Sequence, residues 1–263
     1  MWPPENTATR PTNDMDLYPA IDLLGGRCVR LYQGDYDRST TYGDDPVAQA
    51  RRFEAEGAPW IHVVDLDAAR SGDPVNRAVI GEIAAAVGVP VQTGGGVRDT
   101  AAAETLFELG VSRVVVGTAA LEDPGFVRSL AGRREVAVGL DARGREVAVR
   151  GWTEGSGRDL LELAGEFADA GVAALVVTEI GRDGTLEGPD TDGLSSVLAE
   201  SPVPLIASGG VGTLADIEAL SRLRSGGRTL EGVIVGRALY EGRFGVTEAV
   251  AATGAGRSGG EAP

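Results

Sequence analysis

The sequence predicts an α/β protein with the TIM (β/α)8 barrel fold, built as an internal repeat of two half-barrels. Apolar runs and helical patterns alternate eight times along the 263-residue chain. The apolar runs are continuous and rich in Val, Ile and Leu, which is typical of parallel strands buried on both faces. In each half of the chain, two neighbouring strands end in glycine. This repeat favours a closed ring of βα units over a doubly wound open sheet, which is the structural alternative.

The predicted strands and helices follow one another without a linker-like segment, so we expect one domain. Glycine stands between several helices and the next strand, where it favours the end of a helix. The predicted strands are Leu17–Asp22, Trp60–Asp65, Pro90–Thr93, Arg113–Val116, Val136–Asp141, Ala174–Thr178, Pro204–Ala207 and Gly232–Val235. The predicted helices are Pro46–Glu56, Pro74–Ala86, Thr100–Leu109, Pro124–Leu130, Arg158–Ala170, Asp192–Glu200, Thr213–Leu223 and Val246–Ala251.

The barrel is predicted to span residues 16–251. Residues 1–15 are polar, contain proline and show no periodicity, so we expect a disordered N-terminal tail. Residues 252–263 are rich in glycine and alanine, and we expect a flexible C-terminal tail there.

The composition excludes several classes of function. A net charge of −15 argues against nucleic acid and anionic membranes as partners. With one cysteine, Cys28, and one histidine, His62, we expect neither a disulfide nor a metal site. No apolar run reaches the roughly 18–20 residues of a membrane span. The N-terminal residues lack an apolar signal core, so we expect a cytoplasmic protein, and we expect it to be a monomer.

Glycine-rich turns after four predicted strands indicate two phosphate-binding sites. Backbone N–H groups approach a ligand closely where no Cβ intervenes, and the helix after each turn presents further N–H groups. The turns follow strands 3 and 4 and strands 7 and 8, which lie on opposite sides of a barrel mouth. The predicted phosphate contacts are Gly95, Gly96, Gly117, Thr118, Gly209, Gly210, Gly236 and Arg237.

Carboxylates end other strands, between the two predicted phosphate sites. Asp22 ends strand 1, where partial desolvation raises the pKa of a carboxyl group and suits it to act as a general base. Asp141 ends strand 5 and Asp183 lies in the loop after strand 6, so either can supply a second acid. Asp65 ends strand 2, where we expect a structural role that orients the loop.

Other polar and aromatic residues allow a functional or a structural interpretation. His62 lies within strand 2 and Cys28 lies in an apolar segment, and we expect both to be core residues. Trp152 stands in a glycine-flanked loop after strand 5, where we predict that it stacks on a flat ligand ring. Arg30 either meets an anionic ligand or pairs with a carboxylate.

These motifs together resemble the phosphoribosyl isomerase family of histidine biosynthesis, whose members are half-barrel-repeat TIM barrels. The resemblance runs from about Asp16 to Ala251. The segments that carry it are PAIDLLGGRCVRLYQGD, WIHVVDLDAA, TGGGVRD, VVVGTAALEDP, VGLDARG, VRGW, VTEIGRDGTLEGPD, ASGGV and GVIVGRALYEG.

The resemblance implies an Amadori rearrangement of a small bisphosphorylated substrate without a metal, nucleotide or redox cofactor. Asp22, in the strand 1 motif, is implied to be the general base. Asp183, in the DGT motif, is implied to be the general acid. Asp141 and Thr178 match family residues that support the site.

Three alternatives stay open. The cyclase of the next histidine step shares the fold and the glycine turns, but its strand 1 motif differs. A bifunctional subfamily also isomerises phosphoribosylanthranilate in tryptophan biosynthesis; Arg150 and Trp152 match residues that exchange roles there, whereas residues 153–159 depart from its pattern. A non-catalytic phosphosugar-binding subunit would keep the glycine turns without the chemistry. In each case we expect the glycine-rich loops after strands 1, 5 and 6 to be mobile when empty.

Overall fold

A computed structural model describes residues 15–254 and contains a closed parallel barrel. Each barrel strand pairs with its neighbour in parallel, and the pairing of Val136–Arg143 with Ala174–Glu179 completes the ring. The predicted TIM barrel is therefore confirmed, and the open sheet is not found. Around the ring, the eight strands are β1 (Asp16–Leu24), β4 (Ile61–Asp65), β5 (Val91–Gly94), β6 (Arg113–Val116), β7 (Val136–Arg143), β10 (Ala174–Glu179), β11 (Leu205–Ser208) and β12 (Gly232–Val235).

Eight helices lie close to their predicted positions, and three short helices that were not among the predicted ones follow barrel strands. The eight are α1 (Pro46–Ala55), α3 (Arg77–Ala86), α4 (Thr100–Glu108), α6 (Pro124–Ala131), α7 (Leu160–Glu166), α8 (Thr191–Glu200), α9 (Leu214–Arg222) and α11 (Val246–Ala252). The three short helices are α2 (Leu66–Ser71), α5 (Thr118–Glu122) and α10 (Arg237–Tyr240). The last two stand at equivalent places in the two halves, directly after the glycines that end β6 and β12.

Two β-hairpins extend the barrel at its mouth, and the sequence analysis did not predict them. One comprises β2 (Arg27–Tyr32) and β3 (Asp35–Gly43) and follows β1. The other comprises β8 (Glu146–Val149) and β9 (Glu154–Asp159) and follows β7. β1 and β7 are equivalent strands of the two half-barrels, and a hairpin follows each of them. The internal repeat therefore includes these loops as well as the barrel strands.

One predicted helix boundary is wrong, because the second hairpin includes the residue at which the helix was predicted to begin. Arg158 was predicted to begin a helix, but it lies in β9 and pairs with Val147. Helix α7 begins instead at Leu160, because the Asp159 side chain accepts hydrogen bonds from the N–H groups of Leu161 and Glu162 and caps the helix.

Apolar side chains form three clusters: one inside the ring, one between the ring and the helices, and a small one at Val29, Leu31 and Leu66 beside the first hairpin. The largest cluster packs the outward side chains of the strands against the helices. The cluster inside the barrel includes Tyr18, Ala20, Ile206 and Ile234. These side chains fill the barrel below its mouth, so the cavity at the carboxyl ends of the strands is closed on its inner side.

The ends of the packed body differ slightly from the predicted boundaries. Met15, Ala252 and Thr253 are buried and belong to the body of the protein. The remainder of the two predicted tails lies outside the described residues. Within residues 15–254, no helix is both long and apolar enough to cross a membrane.

Candidate active site

A cavity of about 680 Å³ opens at the carboxyl ends of the barrel strands. Every barrel strand contributes to its lining, which is the usual arrangement of an active site in this fold. The structure brings all of the predicted site residues together around this one cavity. Their neighbours and conformations then distinguish binding groups from reactive groups.

The first glycine turn joins β5 to the loop before α4 in a conformation that requires glycine. Gly95 and Gly96 have φ values of 98° and 69°. A Cβ on Gly95 would lie 2.2 Å from the carbonyl oxygen of Asp65, and one on Gly96 would lie 2.5 Å from the Cβ of Ala68. The turn therefore packs directly on the preceding βα loop and turns its backbone toward the cavity.

The second glycine turn repeats this arrangement after β11. Gly209 and Gly210 have φ values of 93° and 84°. A Cβ on Gly210 would lie 2.3 Å from the carbonyl oxygen of Gly188, whose own N–H donates to Gly210 at 2.9 Å. Two turns with the same conformation thus lie on opposite sides of the ring.

Among the described residues, the helices that follow the paired glycines are capped by side chains, whereas the helices that follow Gly117 and Gly236 are not. The side chain of Asp99 already caps α4, and Thr213 and Asp216 form a capping box on α9. Within residues 15–254, no side chain caps α5 or α10, which begin after Gly117 and Gly236. The residues at which these two short helices begin, Gly117, Thr118, Gly236 and Arg237, line the cavity.

Replacing Gly210 with alanine is expected to weaken binding of inorganic phosphate at least about tenfold, because the new Cβ must displace the backbone of the turn. Titration calorimetry on the folded variant measures the dissociation constant. Gly171→Ala is the matched control, since Gly171 also has a positive φ of 72° but a Cβ there meets nothing within 4 Å. The control should lose about 1–2 kcal/mol of stability from its backbone alone and bind phosphate normally. Equal phosphate affinities for the two variants would contradict this role of the turn.

Asp22 and Arg30 form an ion pair inside the cavity. The Nη1 atom of Arg30 donates to Oδ2 of Asp22 at 2.7 Å. The side chain of Asp22 is only 15% exposed and that of Arg30 only 10%. Arg30 also donates to the carbonyl oxygen of Ala20 and lies against the ring of Tyr240. Burial raises the pKa of the Asp22 carboxyl, and the Arg30 guanidinium opposes that rise. Of the two interpretations of Arg30, the structure therefore shows the carboxylate pair.

Asp183 faces the same cavity without an ion-pair partner among the described residues. Burial, together with the charges of Asp22 and Asp141, raises its pKa to about 7, although Arg30 opposes the shift. The loop that carries Asp183 is held against the first hairpin, because the N–H of Gln33 donates to the Asp183 carbonyl at 3.2 Å. The two carboxyl groups thus differ in their neighbours, because Asp22 pairs with a guanidinium and Asp183 has no such partner among the described residues.

Asp141 is positioned by two hydrogen bonds rather than by a cation. The indole Nε1 of Trp152 donates to its Oδ2 at 2.8 Å, and the Thr178 hydroxyl also bonds to it. Burial raises the pKa of Asp141, whereas both of these hydrogen bonds lower it. A carboxylate held in this way suits a supporting role at the cavity wall.

Trp152 lies over the cavity at the tip of the second hairpin. Arg150, Gly151 and Trp152 have consecutive positive φ values of 53°, 64° and 70°. The indole packs on Gly34 in the first hairpin, where a Cβ would lie only 2.4 Å from the ring. The sequence analysis did not identify Gly34, although a glycine at a hairpin turn is a recognisable signal. The two hairpins therefore meet above the cavity through this pair.

The predicted basic phosphate contacts have protein partners in the structure. The Arg150 side chain is 60% exposed, and its Nη1 atom lies 2.8 Å from a carboxylate oxygen of Glu154. The backbone N–H of Arg150 donates to the hydroxyl of Thr118. Arg237 bonds to Glu241 at 2.6 Å and to the carbonyl oxygen of Gly184. A bound anion would have to compete with these carboxylates for either arginine.

Two residues assigned to structural roles occupy the expected positions. Asp65 caps α2 by accepting from the N–H of Ala68 at 3.0 Å, and it accepts from Asn76 at 2.7 Å. Its predicted loop-orienting role is confirmed. Cys28 is buried, and burial raises the pKa of its thiol to about 11, which keeps it protonated and unreactive.

His62 is buried as predicted, but its ring also contributes to the floor of the cavity. Among the described residues, no group of histidine, cysteine or acidic side chains is arranged to hold a metal ion.

The chain is similar to one family and to many curated proteins. A family model described as "Histidine biosynthesis protein" matches residues 16–245. A protein of Synechococcus elongatus is 50% identical over 245 residues, and one of Gloeobacter violaceus is 51% identical over 245 residues. Each alignment covers 92% of this chain and 95% of the relative. Both relatives are named as the isomerase of 1-(5-phosphoribosyl)-5-((5-phosphoribosylamino)methylideneamino) imidazole-4-carboxamide.

Proposed function

The chain belongs to the histidine biosynthesis protein family, and we propose that it catalyses the isomerisation that names its relatives by an Amadori rearrangement. The substrate is an aminoimidazole carboxamide that carries two phosphoribosyl groups. One of these groups, attached through an amino nitrogen, is opened from an aldose to the isomeric ketose. The other phosphoribosyl group stays attached to the imidazole ring and serves only for binding.

The observation that supports this function most strongly is that two carboxyl groups with different neighbours line one cavity. Asp22 is paired with Arg30, which favours its ionised form. Asp183 has no such partner among the described residues, and its pKa of about 7 leaves much of it protonated at neutral pH. A carboxylate paired with a guanidinium and a carboxyl group without such a partner can act as base and acid in sequence on one substrate.

The first step opens the sugar ring. Asp183 donates its proton to the furanose ring oxygen, and the bond from that oxygen to C1 breaks with its electrons moving to the oxygen. The nitrogen lone pair forms a double bond to C1, which gives a protonated Schiff base. Asp183 is left as a carboxylate.

The second step moves a proton from carbon. Asp22 removes the proton on C2; its bonding electrons form a double bond to C1, and the electrons of the C–N double bond return to nitrogen. The resulting enolamine becomes the ketone when its hydroxyl proton passes to Asp183 and Asp22 returns a proton to C1. Both carboxyl groups regain their starting states, so no external oxidant or reductant is needed.

The two glycine turns bind the two ends of the substrate. Each offers backbone N–H groups from a turn with positive φ and from the start of a neighbouring short helix. Their positions on opposite sides of the ring match a molecule with a phosphate at each end. Local N–H groups supply this attraction in spite of the net charge of −15.

Trp152 completes the site from above. Its indole holds Asp141 and packs on Gly34, so it links the two hairpins across the mouth. This contact shields the open-chain intermediate from water. The second, tryptophan-pathway activity is not part of the proposal, because the relatives' names give only the histidine-pathway reaction.

The pH dependence of turnover tests this assignment. Because Asp183 must carry a proton and its pKa is about 7, kcat/KM should fall about tenfold per pH unit well above that value. The assay follows product formation by the purified protein with the bisphosphorylated substrate in buffers of constant ionic strength. A kcat/KM that is constant from about pH 7 to about pH 9 would rule out Asp183 as the acid.

A further inference from the structure

We propose that His62 is a further catalytic residue of this site, a neutral imidazole whose Nε2–H donates a hydrogen bond to the substrate. Gln92 and Arg113 are the positioning residues that fix its proton on Nε2. This inference rests on the proposed function, because it assigns a group to the same reaction.

A line of polar side chains runs through the interior of the barrel to His62. The Nδ1 atom of His62 lies 3.0 Å from Nε2 of Gln92. The Oε1 atom of Gln92 lies 3.3 Å from Nη1 of Arg113, which is also 3.3 Å from the Tyr18 hydroxyl. His62, Gln92 and Arg113 are each at most 7% exposed, so these contacts are shielded from solvent.

Donor and acceptor rules fix the direction of this line. A guanidinium can only donate, so the atom of Gln92 that faces Arg113 must be the oxygen. The amide nitrogen of Gln92 therefore faces His62 and donates to it. The Nδ1 atom of His62 must then be an acceptor without a proton, so the single proton of a neutral ring lies on Nε2. The opposite orientation of the amide would place two donors against each other.

The ring stays neutral throughout the working pH range. Burial lowers the pKa of His62 to about 3, and the charge of Arg30 lowers it further. A protonated ring would also lose the hydrogen bond from Gln92, because both ring nitrogens would then be donors. His62 is therefore a donor of fixed direction rather than an acid or a base.

Strand register places this donor next to the reactive carboxylate. His62 on β4 pairs with Ala20 on β1, and Val64 pairs with Asp22. Side chains two residues apart on a strand point to the same face, so Ala20 and Asp22 both face the interior. His62 thus lies one layer deeper than Asp22, on the neighbouring strand, and lines the same cavity.

The substrate oxygen that we assign to this donor is the hydroxyl oxygen on C2. Asp22 removes the proton from C2, and the hydroxyl oxygen on that carbon becomes the ketone oxygen. A neutral donor directed at this oxygen stabilises the negative charge that develops as its proton leaves. It does not protonate the oxygen, so that oxygen can become the ketone oxygen while Asp22 returns a proton to C1.

The tautomer can be observed directly because the chain contains a single histidine. In protein labelled with ¹⁵N-histidine, two-bond correlation spectra should show a protonated Nε2 and an unprotonated Nδ1 from about pH 5 to about pH 9. In folded Gln92→Leu protein the single tautomer should give way to a mixture. A proton on Nδ1, or a titrating ring, in the wild-type protein would overturn the proposal.

Kinetics of two variants test the donor itself. His62→Leu should lower kcat by about a hundredfold with KM changed less than about threefold. His62→Gln, which retains an N–H near the position of Nε2, should recover about a tenth or more of the wild-type kcat. A folded Leu variant within about threefold of the wild-type kcat would overturn the role. Absence of turnover in the wild-type protein would instead contradict the proposed function, and the NMR result is independent of turnover.

Discussion

Asp22→Asn is expected to lower kcat by at least about a hundredfold and to leave the barrel folded, because an amide cannot accept the proton that a general base removes. Positioned acid–base groups typically contribute about a hundredfold to ten-thousandfold to rate. The measurement is steady-state turnover of the bisphosphorylated substrate by variant and wild-type protein. Because the proton transfer occurs after binding, the change should appear in kcat more than in KM.

The ion pair with Arg30 makes Asp22→Asn costly for stability as well. Arg30 is only 10% exposed, and the variant leaves its guanidinium without the carboxylate. Loss of one partner of a largely buried ion pair typically costs about 3–5 kcal/mol, so thermal unfolding must show that the protein is folded at the assay temperature. Asp45→Asn is a matched control, since Asp45 caps α1 away from the cavity and asparagine caps helices equally well. The mechanism fails if folded Asp22→Asn protein turns over at nearly the wild-type rate.

The parts of the site that the sequence revealed are those that need a particular residue type. A strand that ends beside a ligand requires glycine at positive φ, as at Gly96 and Gly210. A carboxyl group near the carboxyl end of a barrel strand, such as Asp22, also lines the mouth. These requirements are local, so they leave a readable pattern in the chain.

The features that were missed depend on distant contacts or lack a distinctive pattern. Strand β3 is largely exposed and polar, so it has no alternation of apolar and polar residues from which to predict a strand. The relation of His62 to Gln92 and Arg113 exists only after the barrel has closed and brought three strands together. Likewise, the pair of Asp22 and Arg30 forms between β1 and β2, whose antiparallel pairing was not predicted.

Asp183→Asn should have opposite effects on activity and on stability. Asparagine has the shape of a protonated carboxyl group but cannot give up a proton to the ring oxygen, so kcat should fall at least about a hundredfold. The same change removes a carboxylate whose charge is unfavourable in the cavity. Turnover assays and thermal unfolding on the same preparation measure the two effects together.

The stability effect has a defined pH window. The pKa of Asp183 is raised from 3.8 to about 7 in the folded protein. Between these values the folded state holds a proton that the unfolded chain has released, so the free energy of unfolding of the wild type falls as pH rises through the window. Above about pH 7 the loss is complete. Each unit of difference between the folded and unfolded pKa corresponds to about 1.4 kcal/mol in the free energy of unfolding. Because the Asp183 side chain is only half-buried, solvent screening reduces this effect.

We therefore expect Asp183→Asn to match the wild-type melting temperature near pH 4 and to exceed it by a few degrees near pH 8, from about 1–2 kcal/mol of added stability. Asp123→Asn, at the exposed cap of α6, is the control for loss of one carboxylate away from the cavity. If the difference between variant and wild type were the same at both pH values, the carboxyl group would not be protonated in the folded protein near neutrality. A group that destabilises the fold as its charge develops, and is nonetheless required for turnover, is expected of an acid whose proton is used in the reaction.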